Sequence, residues 1–369
     1  MNSYNVPANL GILAPLKEWG GIERNIVILC EEFLKFGVKP QLLLTREGQT
    51  PYPDKIPSEV EIIDLHSKRK FDATFKLIRY LKQTKLDALF TYKDHAAKIA
   101  VMARSIGKID IPIFINVTNT LSHTLRRPLK KRFALWIYPR ANKITANSQG
   151  VKDDMITMGI PEQKIQVIYN PTITQDLAQR SKQKVEHPWI NEKELPIVLG
   201  VGRLSQSKDF ITLLKSFALL QKHKPSRLII IGEGPERKNI QDKISELNIQ
   251  NKVHLPGYIS DPIPWMANSD VFVLSSRYEG LGNVLIEALA AGTPVVSTNC
   301  PSGPAEILQS GKIGPLVPVG DVQSMTEAIA KVLESPPQPE LIRQGLERFH
   351  SDVVAGQCLD LMGLLGEDQ

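Results

Sequence analysis

The sequence predicts an α/β protein built as two consecutive domains, each with a parallel sheet covered by helices. Three observations carry this. The chain has 369 residues, more than one hydrophobic core ordinarily serves. Short β-rich apolar runs alternate with helix-periodic segments along nearly all of it, a rhythm that belongs to parallel strands joined by helical crossovers. The rhythm also stops and restarts, because between Pro171 and Pro196 the chain is polar and unpatterned. The expected boundaries are an N-terminal domain over 1–170, a linker over 171–194 and a C-terminal domain over 195–349. A terminal helix near 350–369 is expected to pack back onto the first domain.

In the first half, "LGILAPL" is a strand that leads into a helix over roughly Gly21 to Phe36. There Ile22, Ile26, Leu29, Phe33 and Leu34 recur at helical spacing. "PQLLLT", "VEIIDL", "DALFTY", "PIFINVT", "NKITAN" and "IQVIYNP" are strands. Between them lie the helical "FKLIRYLKQT", "AAKIAVMARSIG" and a helix near Val151 to Met158. The second half repeats the alternation. Its strands are "IVLGVG", "RLIIIG", "VHLPG", "DVFVLS", "PVVST" and "GPLVPVG", and its helices are "ITLLKSFALLQK", "RKNIQDKISELN" and "VLIEALAAG". From "SMTEAIAKVL" onward the chain is helical, interrupted by "SPPQP". Each half is Rossmann-like, which places ligands at the carboxyl ends of the strands.

Composition narrows the function classes. No run approaches the roughly 20 apolar residues of a spanning helix. The start, "MNSYNVPANLGILAPLKEWGG", lacks a basic stretch followed by a clean apolar one, so a secretory leader is not expected. The 3 cysteines, Cys30, Cys300 and Cys358, show neither zinc nor CxxC spacing, which suits a reduced, cytoplasmic compartment. A net charge of +6 is a mild excess compatible with phosphates, nucleic acid or an anionic membrane, and selects none of them. Nucleic acid is not expected as a partner, because the basic residues are not interleaved with aromatics on a recognisable module.

Four places combine a strand end, glycine and charge. In "KEWGGIERN", Gly20 and Gly21 precede a helix whose free N–H groups suit an anion, although an ordinary strand–helix turn explains a lone Gly-Gly as well. In "VGVGRLSQSKDF", Arg203 and Lys208 follow a strand ending at Gly202. Two cations there suit a diphosphate or are a solvated loop, and the spacing is not that of a P-loop. "IIIGEGPERKNI" is read as a structural turn. The fourth, "SSRYEGLGNVLIEALAAGTPVVS", sets Glu279 in a glycine turn with Gly280 and Gly282, opens a helix near Asn283 and carries Glu287 into an apolar segment. A buried carboxylate is costly without a partner. Carboxylates accept from paired sugar hydroxyls, so two of them flanking anion-binding amides suit a nucleotide-sugar. The plainer reading is that Glu287 caps an internal donor.

Taken in order, "GGIER", "ITANSQGVKDDM", "IQVIYNP", "VGRLSQSKDF", "LIIIGEGPER", "VHLPGYISD" and "SSRYEGLGNVLIEALAAGTPVVSTNCPSGPAEIL" resemble the family-four retaining glycosyltransferases of the GT-B fold. That fold is two Rossmann-like domains with parallel sheets facing across a cleft. Glu279 and Glu287 match the family's E-x7-E motif. The resemblance implies that Arg203 and Lys208 hold the donor diphosphate and neutralise the leaving group. Glu287 would accept from the nucleotide ribose, and Glu279 would face the transferred sugar. Gly280 and the amides of Leu281, Gly282 and Asn283 would touch sugar or phosphate, and Gly20 and Gly21 would line the site from the first domain. Gly257 and Tyr258 of "VHLPGYISD" are further substrate candidates. The implied reaction is a hexosyl or N-acetylhexosaminyl transfer with retention of configuration, from a nucleotide-diphosphate donor, UDP-linked, needing no metal and no cofactor. One departure stands out: Thr118 occupies the place where members often carry a histidine, which leaves His95 and His123 as candidates for that role.

"RRPLKKRFALWIYPR" has five basic residues between Arg126 and Arg132. Leu129, Phe133, Trp136 and Ile137 are expected on one helical face after Pro128. Such a helix suits an anionic membrane, at roughly 1 kcal/mol per basic residue reaching the surface, or is a core-packed helix with a solvated basic side. A membrane contact through 126–140 would place the protein at the inner face of the cell membrane and favour a polyprenyl-linked or lipopolysaccharide acceptor, a glycan of the bacterial surface. Two other readings use the same architecture: a nucleotide-sugar epimerase, and a non-catalytic carbohydrate-binding or scaffold subunit.

Overall fold

A computed structural model describes residues 8–16, 20–45, 53–65, 70–125 and 127–365. The chain divides into two compact units, one formed by Met1–Pro171 with His350–Gln369 and the other by Thr172–Phe349. The segment expected as a linker is counted with the second unit, and its short helices are described with that unit.

The first unit holds β1 (Asn9–Ala14), α1 (Gly21–Lys35), β2 (Lys39–Leu44), β3 (Glu61–Asp64), α2 (Lys70–Gln83), β4 (Ala88–Tyr92) and α3 (Lys93–Gly107). It continues through β5 (Ile113–Val117), α4 (Leu121–Thr124), α5 (Pro128–Ile137), β6 (Lys143–Ala146), α6 (Gln149–Thr157) and β7 (Ile165–Val167). The 7 strands form one parallel sheet in the order β3-β2-β1-β4-β5-β6-β7. Its central strands are buried along their whole length, as in Ala88–Tyr92 and Ile113–Val117, because helices cover both faces. One face packs Leu13, Leu43, Leu89 and Ile115 against Ala96, Ala100, Ile137 and Val151. The other packs Leu10, Ile12 and Phe90 against Ile26, Leu29 and Phe33 of α1.

The second unit holds α7 (Leu177–Arg180), α8 (Pro188–Asn191), β8 (Ile197–Val201), α9 (Phe210–Leu220), β9 (Arg227–Ile231), α10 (Arg237–Glu246) and β10 (Val253–Gly257). After these come α11 (Ile263–Ala267), β11 (Val271–Leu274), α12 (Asn283–Ala290), β12 (Val295–Thr298), α13 (Pro304–Ile307), β13 (Leu316–Val317), α14 (Val322–Glu334) and α15 (Pro339–Leu346). The last helix, α16 (Ser351–Met362), belongs to the first unit, where Val354, Ala355, Cys358 and Leu359 join the core beneath α1. Ser351 Oγ donates to Glu32 Oε1 at 2.7 Å inside that contact.

The 6 strands of the second unit are again parallel, in the order β10-β9-β8-β11-β12-β13. In both sheets the strand order reverses beside the first strand, between β1 and β4 and between β8 and β11. Open α/β sheets form a crevice outside the carboxyl ends of strands at such a point. "GEGP" is a structural turn, as its sequence suggested. A Cβ on Gly232, whose φ is +145°, would lie 1.9 Å from the Gly202 carbonyl oxygen, so only glycine lets the ends of β8 and β9 close together.

Candidate active site

In the second unit the switch point carries most of the residues singled out by sequence. The loop after β8 contains Gly202, Arg203 and Lys208, and the loop after the neighbouring β11 contains Glu279 through Gly282. Lys208 Nζ donates to Glu279 Oε1 at 2.5 Å, with the two side chains only 20% and 12% exposed. The same carboxylate oxygen accepts from Ser276 Oγ at 2.6 Å. Arg203 is exposed and, among the described residues, forms no ion pair, so its donors face solvent.

The two loops are laced together by groups that sequence reading did not single out. Ser275 Oγ donates to the Lys208 carbonyl at 2.7 Å, and Arg277 N donates to the Ser207 carbonyl at 2.8 Å. Arg277 Nε donates to Asp209 Oδ2 at 3.0 Å, and Thr212 Oγ1 meets the same oxygen at 2.9 Å. Asp209 is buried with φ at +45°, a left-handed conformation that these bonds hold in place. Ser275 and Ser276 are buried at the end of an apolar strand, so their hydroxyls need partners. A "SS" after "DVFVL" and a "KD" before a helix were the available signals.

Gly282 caps α12 with φ at +98°, which turns the chain so that the first amides of the helix face the strand mouth. Leu281 is buried, while Gly280 and Asn283 are half-buried. Glu287, within α12, is only 5% exposed. Its positive neighbour is Arg180 on α7, which lies within electrostatic range of it. Arg180 binds Asp261 through two bonds, Nε to Oδ2 at 2.8 Å and an Nη to Oδ1 at 2.7 Å. The Asp261 bonds raise the guanidinium above its ordinary value, with Asp176 and Glu287 adding to the effect. The two glutamates therefore face different cations, Lys208 for Glu279 and Arg180 for Glu287. Gly257 ends β10 with φ at +89° and is followed by Tyr258, which is 61% exposed; both lie at the edge strand, two strands from β8.

In the first unit, Gly20 is the extended N-cap of α1, its carbonyl accepting from Arg24 N at 3.0 Å, and Gly21 is exposed. The switch point of this sheet is bridged by Lys93 Nζ, which donates to buried Glu23 Oε1 at 2.7 Å. A cavity of about 440 Å³ opens at the carboxyl ends of β4 and β5, and both His95 and Thr118 line it. His123 belongs to α4, and its side chain lies outside the described residues. On α5, Leu129 is 82% exposed and Phe133 and Trp136 are about 40% exposed, but Ile137 is fully buried. The expected four-residue face thus splits, three residues turning outward and Ile137 inward with Ala134.

Two parallel α/β sheets with polar loops at their switch points define an architecture shared with GT-B glycosyltransferases. The solved structure of Anabaena Alr3699/HepE in complex with UDP superposes with a TM-score of 0.75 at 20% identity, covering 96% of this chain and 97% of that one. Two family profiles match in tandem, "Glycosyltransferase Family 4" over residues 19–176 and "Glycosyl transferases group 1" over residues 181–347. The N-acetylgalactosamine-N,N'-diacetylbacillosaminyl-diphospho-undecaprenol 4-alpha-N-acetylgalactosaminyltransferase of Campylobacter jejuni is 30% identical over 346 residues, which are 88% of this chain and 90% of that protein. The lipopolysaccharide core biosynthesis glycosyltransferase LpsE of Rhizobium meliloti is 33% identical over 318 residues, 85% of this chain and 86% of its own. The chain belongs to the family-four, group 1 glycosyltransferases and is a glycosyltransferase of GT-B fold.

Proposed function

We propose that the chain transfers a hexosyl or N-acetylhexosaminyl residue, with retention, from a UDP-sugar to a lipid-linked saccharide during synthesis of a bacterial surface glycan. The observation that carries this is the Lys208–Glu279 pair at the mouth of β8 and β11, beside the exposed Arg203 and the amides of α12. Arg203 and Lys208 stabilise the negative charge that develops on the departing diphosphate, with the helix end contributing fixed dipoles. Glu279, already held by Lys208 and Ser276, presents its second oxygen to hydroxyls of the transferred sugar. Glu287 accepts from the ribose, held by the positive neighbourhood of Arg180. Gly20 and Gly21 are proposed as backbone contacts to substrate, and the diphosphate is neutralised by protein groups without a metal ion. The UDP bound by the Anabaena neighbour and the acceptor in the Campylobacter relative's name support the donor and acceptor classes.

The acceptor class fits the outer surface of α5. Exposed Leu129, Phe133 and Trp136 lie beside exposed Lys130, Lys131 and Arg132, an arrangement suited to the inner face of an anionic membrane. No helix among the described residues is long and apolar enough to cross a membrane, so this contact would be peripheral.

The test is to incubate the protein with UDP-, GDP- and ADP-sugars and to follow nucleotide release with and without a lipid-linked saccharide. Release from a UDP-sugar that depends on the acceptor is expected. Interconverted free donor would support an epimerase, and binding without turnover a scaffold.

A further inference from the structure

We infer that the first unit's cavity is a binding site for a saccharide carrying a phosphate or diphosphate ester, the form in which the acceptor of the proposed transfer presents its reducing end. The site rests on the glycosyltransferase reading only for the word acceptor; its chemistry comes from the cavity walls.

The cavity has a volume of about 440 Å³ and lies at the carboxyl ends of β4 and β5, next to the β1–β4 switch point where open sheets take ligands. Three lysines line it, Lys93, Lys98 and Lys130, against one aspartate, Asp94. Lys93 is anchored by Glu23 and Lys98 by Asp94. An ammonium has three donors. Each anchoring bond therefore fixes the charge and leaves further N–H groups for an anion. Lys130, on the exposed first turn of α5, forms no ion pair among the described residues.

The neutral part of the ligand is indicated by Asn116. Its residue is 7% exposed, its Nδ2 donates to Thr145 Oγ1 at 3.0 Å, and its Oδ1 has no partner among the described residues. A buried carbonyl oxygen left without a donor costs about 1–3 kcal/mol, which a ligand hydroxyl would relieve. Just beyond the same strand, Thr118 also lines the cavity, its carbonyl held by Asn147 Nδ2 at 3.2 Å. Cations paired with an orphaned acceptor call for an anion and a hydroxyl on one ligand, and a phosphorylated sugar supplies both. Leu121 and Leu125 supply an apolar wall, as a sugar face or the first carbons of a lipid would need. Lys93 opens α3 with φ at +70°, a conformation that puts its side chain at this mouth at some backbone cost.

The experiment titrates the full chain, saturated with UDP so that the nucleotide site is filled, with glucose 1-phosphate, farnesyl diphosphate and uncharged glucose. Both anions are expected to bind more tightly than glucose, with an affinity that falls as salt rises. Preference for the prenyl compound identifies a lipid-borne source, and preference for the sugar phosphate a soluble one. The double variant Lys98→Gln/Lys130→Gln is expected to weaken both anions by about tenfold or more, and Lys130→Gln alone, on the exposed turn, by part of that. UDP affinity, read in the same cells, reports both the fold of each variant and, in the unaltered chain, the transferase reading separately. Anion binding equal in the unaltered and doubly substituted chains, or no anion binding at all, overturns the proposal.

Discussion

Lys208 and Glu279, 71 residues apart in sequence, meet at 2.5 Å between Nζ and Oε1 because β8 and β11 are neighbours in the second sheet. The pair is mostly shielded from solvent and is steadied by Ser276. Its members have opposite tasks in the proposed transfer, one for the leaving diphosphate and one for the moving sugar. Lys208→Ala and Glu279→Ala are each expected to lower kcat by roughly 10²-fold, the loss of one to two charge-assisted bonds in the transition state. Circular dichroism and thermal melting should show both variants folded. Near-normal turnover in both would remove the site assignment.

Glu287 is expected to act on the nucleotide. Glu287→Gln should weaken UDP by about tenfold and erase the preference for UDP over 2′-deoxy-UDP, because a carboxylate that accepts from paired ribose hydroxyls loses its selectivity with its charge. Calorimetry with the two nucleotides measures this directly. An undiminished preference in the variant would assign Glu287 to Arg180 alone, as an internal partner.

A single methyl group tests the close approach of two loops. Gly232→Ala would place a Cβ 1.9 Å from the Gly202 oxygen. The backbone must then move, and a loss of about 2 kcal/mol or more is expected in urea unfolding. A variant as stable as the parent would mean that the β8 and β9 ends do not pack this closely.

Acid should loosen the second unit near α8. His187 and His254 stack with ring centroids 4.7 Å apart, flanked by Trp189, Trp265 and Arg227. Burial lowers both imidazoles below their ordinary value, and for His187 the neighbouring His254 adds to it. A depressed histidine contributes stability that is complete above its unfolded pKa of about 6.5 and is lost as pH falls through the folded value. The melting temperature should therefore drop between about pH 6.5 and 5, and His187→Gln/His254→Gln should flatten that slope. An identical slope in the double variant would clear these two rings of any part in it.

Charge reversal on α5 tests the membrane contact. Lys130→Glu/Lys131→Glu/Arg132→Glu should abolish flotation with vesicles rich in anionic lipid, while the parent floats and does so less at high salt. Equal flotation of both proteins would rule out the surface.

What sequence shows of this molecule follows from what is local. Parallel-sheet strands are near-continuous apolar runs, so "RLIII" and "IVLGV" declare themselves, and the glycine turn before α12 marks its own helix start. Ties between distant segments leave no periodic trace. Arg180 sits in polar, unpatterned chain, and nothing local announces Asp261, 81 residues on. The α5 face shows the limit of pattern counting. Eight residues separate Leu129 from Ile137, and at 100° per residue that offset is about 80°, enough to turn Ile137 into the core while Leu129 stays outside.

The first unit is made from both ends of the chain, and α16 contributes Val354, Ala355, Cys358, Leu359 and Met362 to the core under α1. On the ribosome, the second unit can be finished while the first still shows the bare side of α1, with Ile26, Leu29 and Phe33 awaiting their cover. The nascent protein therefore carries an exposed oily stripe until its final codons are read. A premature stop shortly before Ser351 would leave that stripe permanently open, a substrate for chaperones and proteases rather than a slightly shorter enzyme.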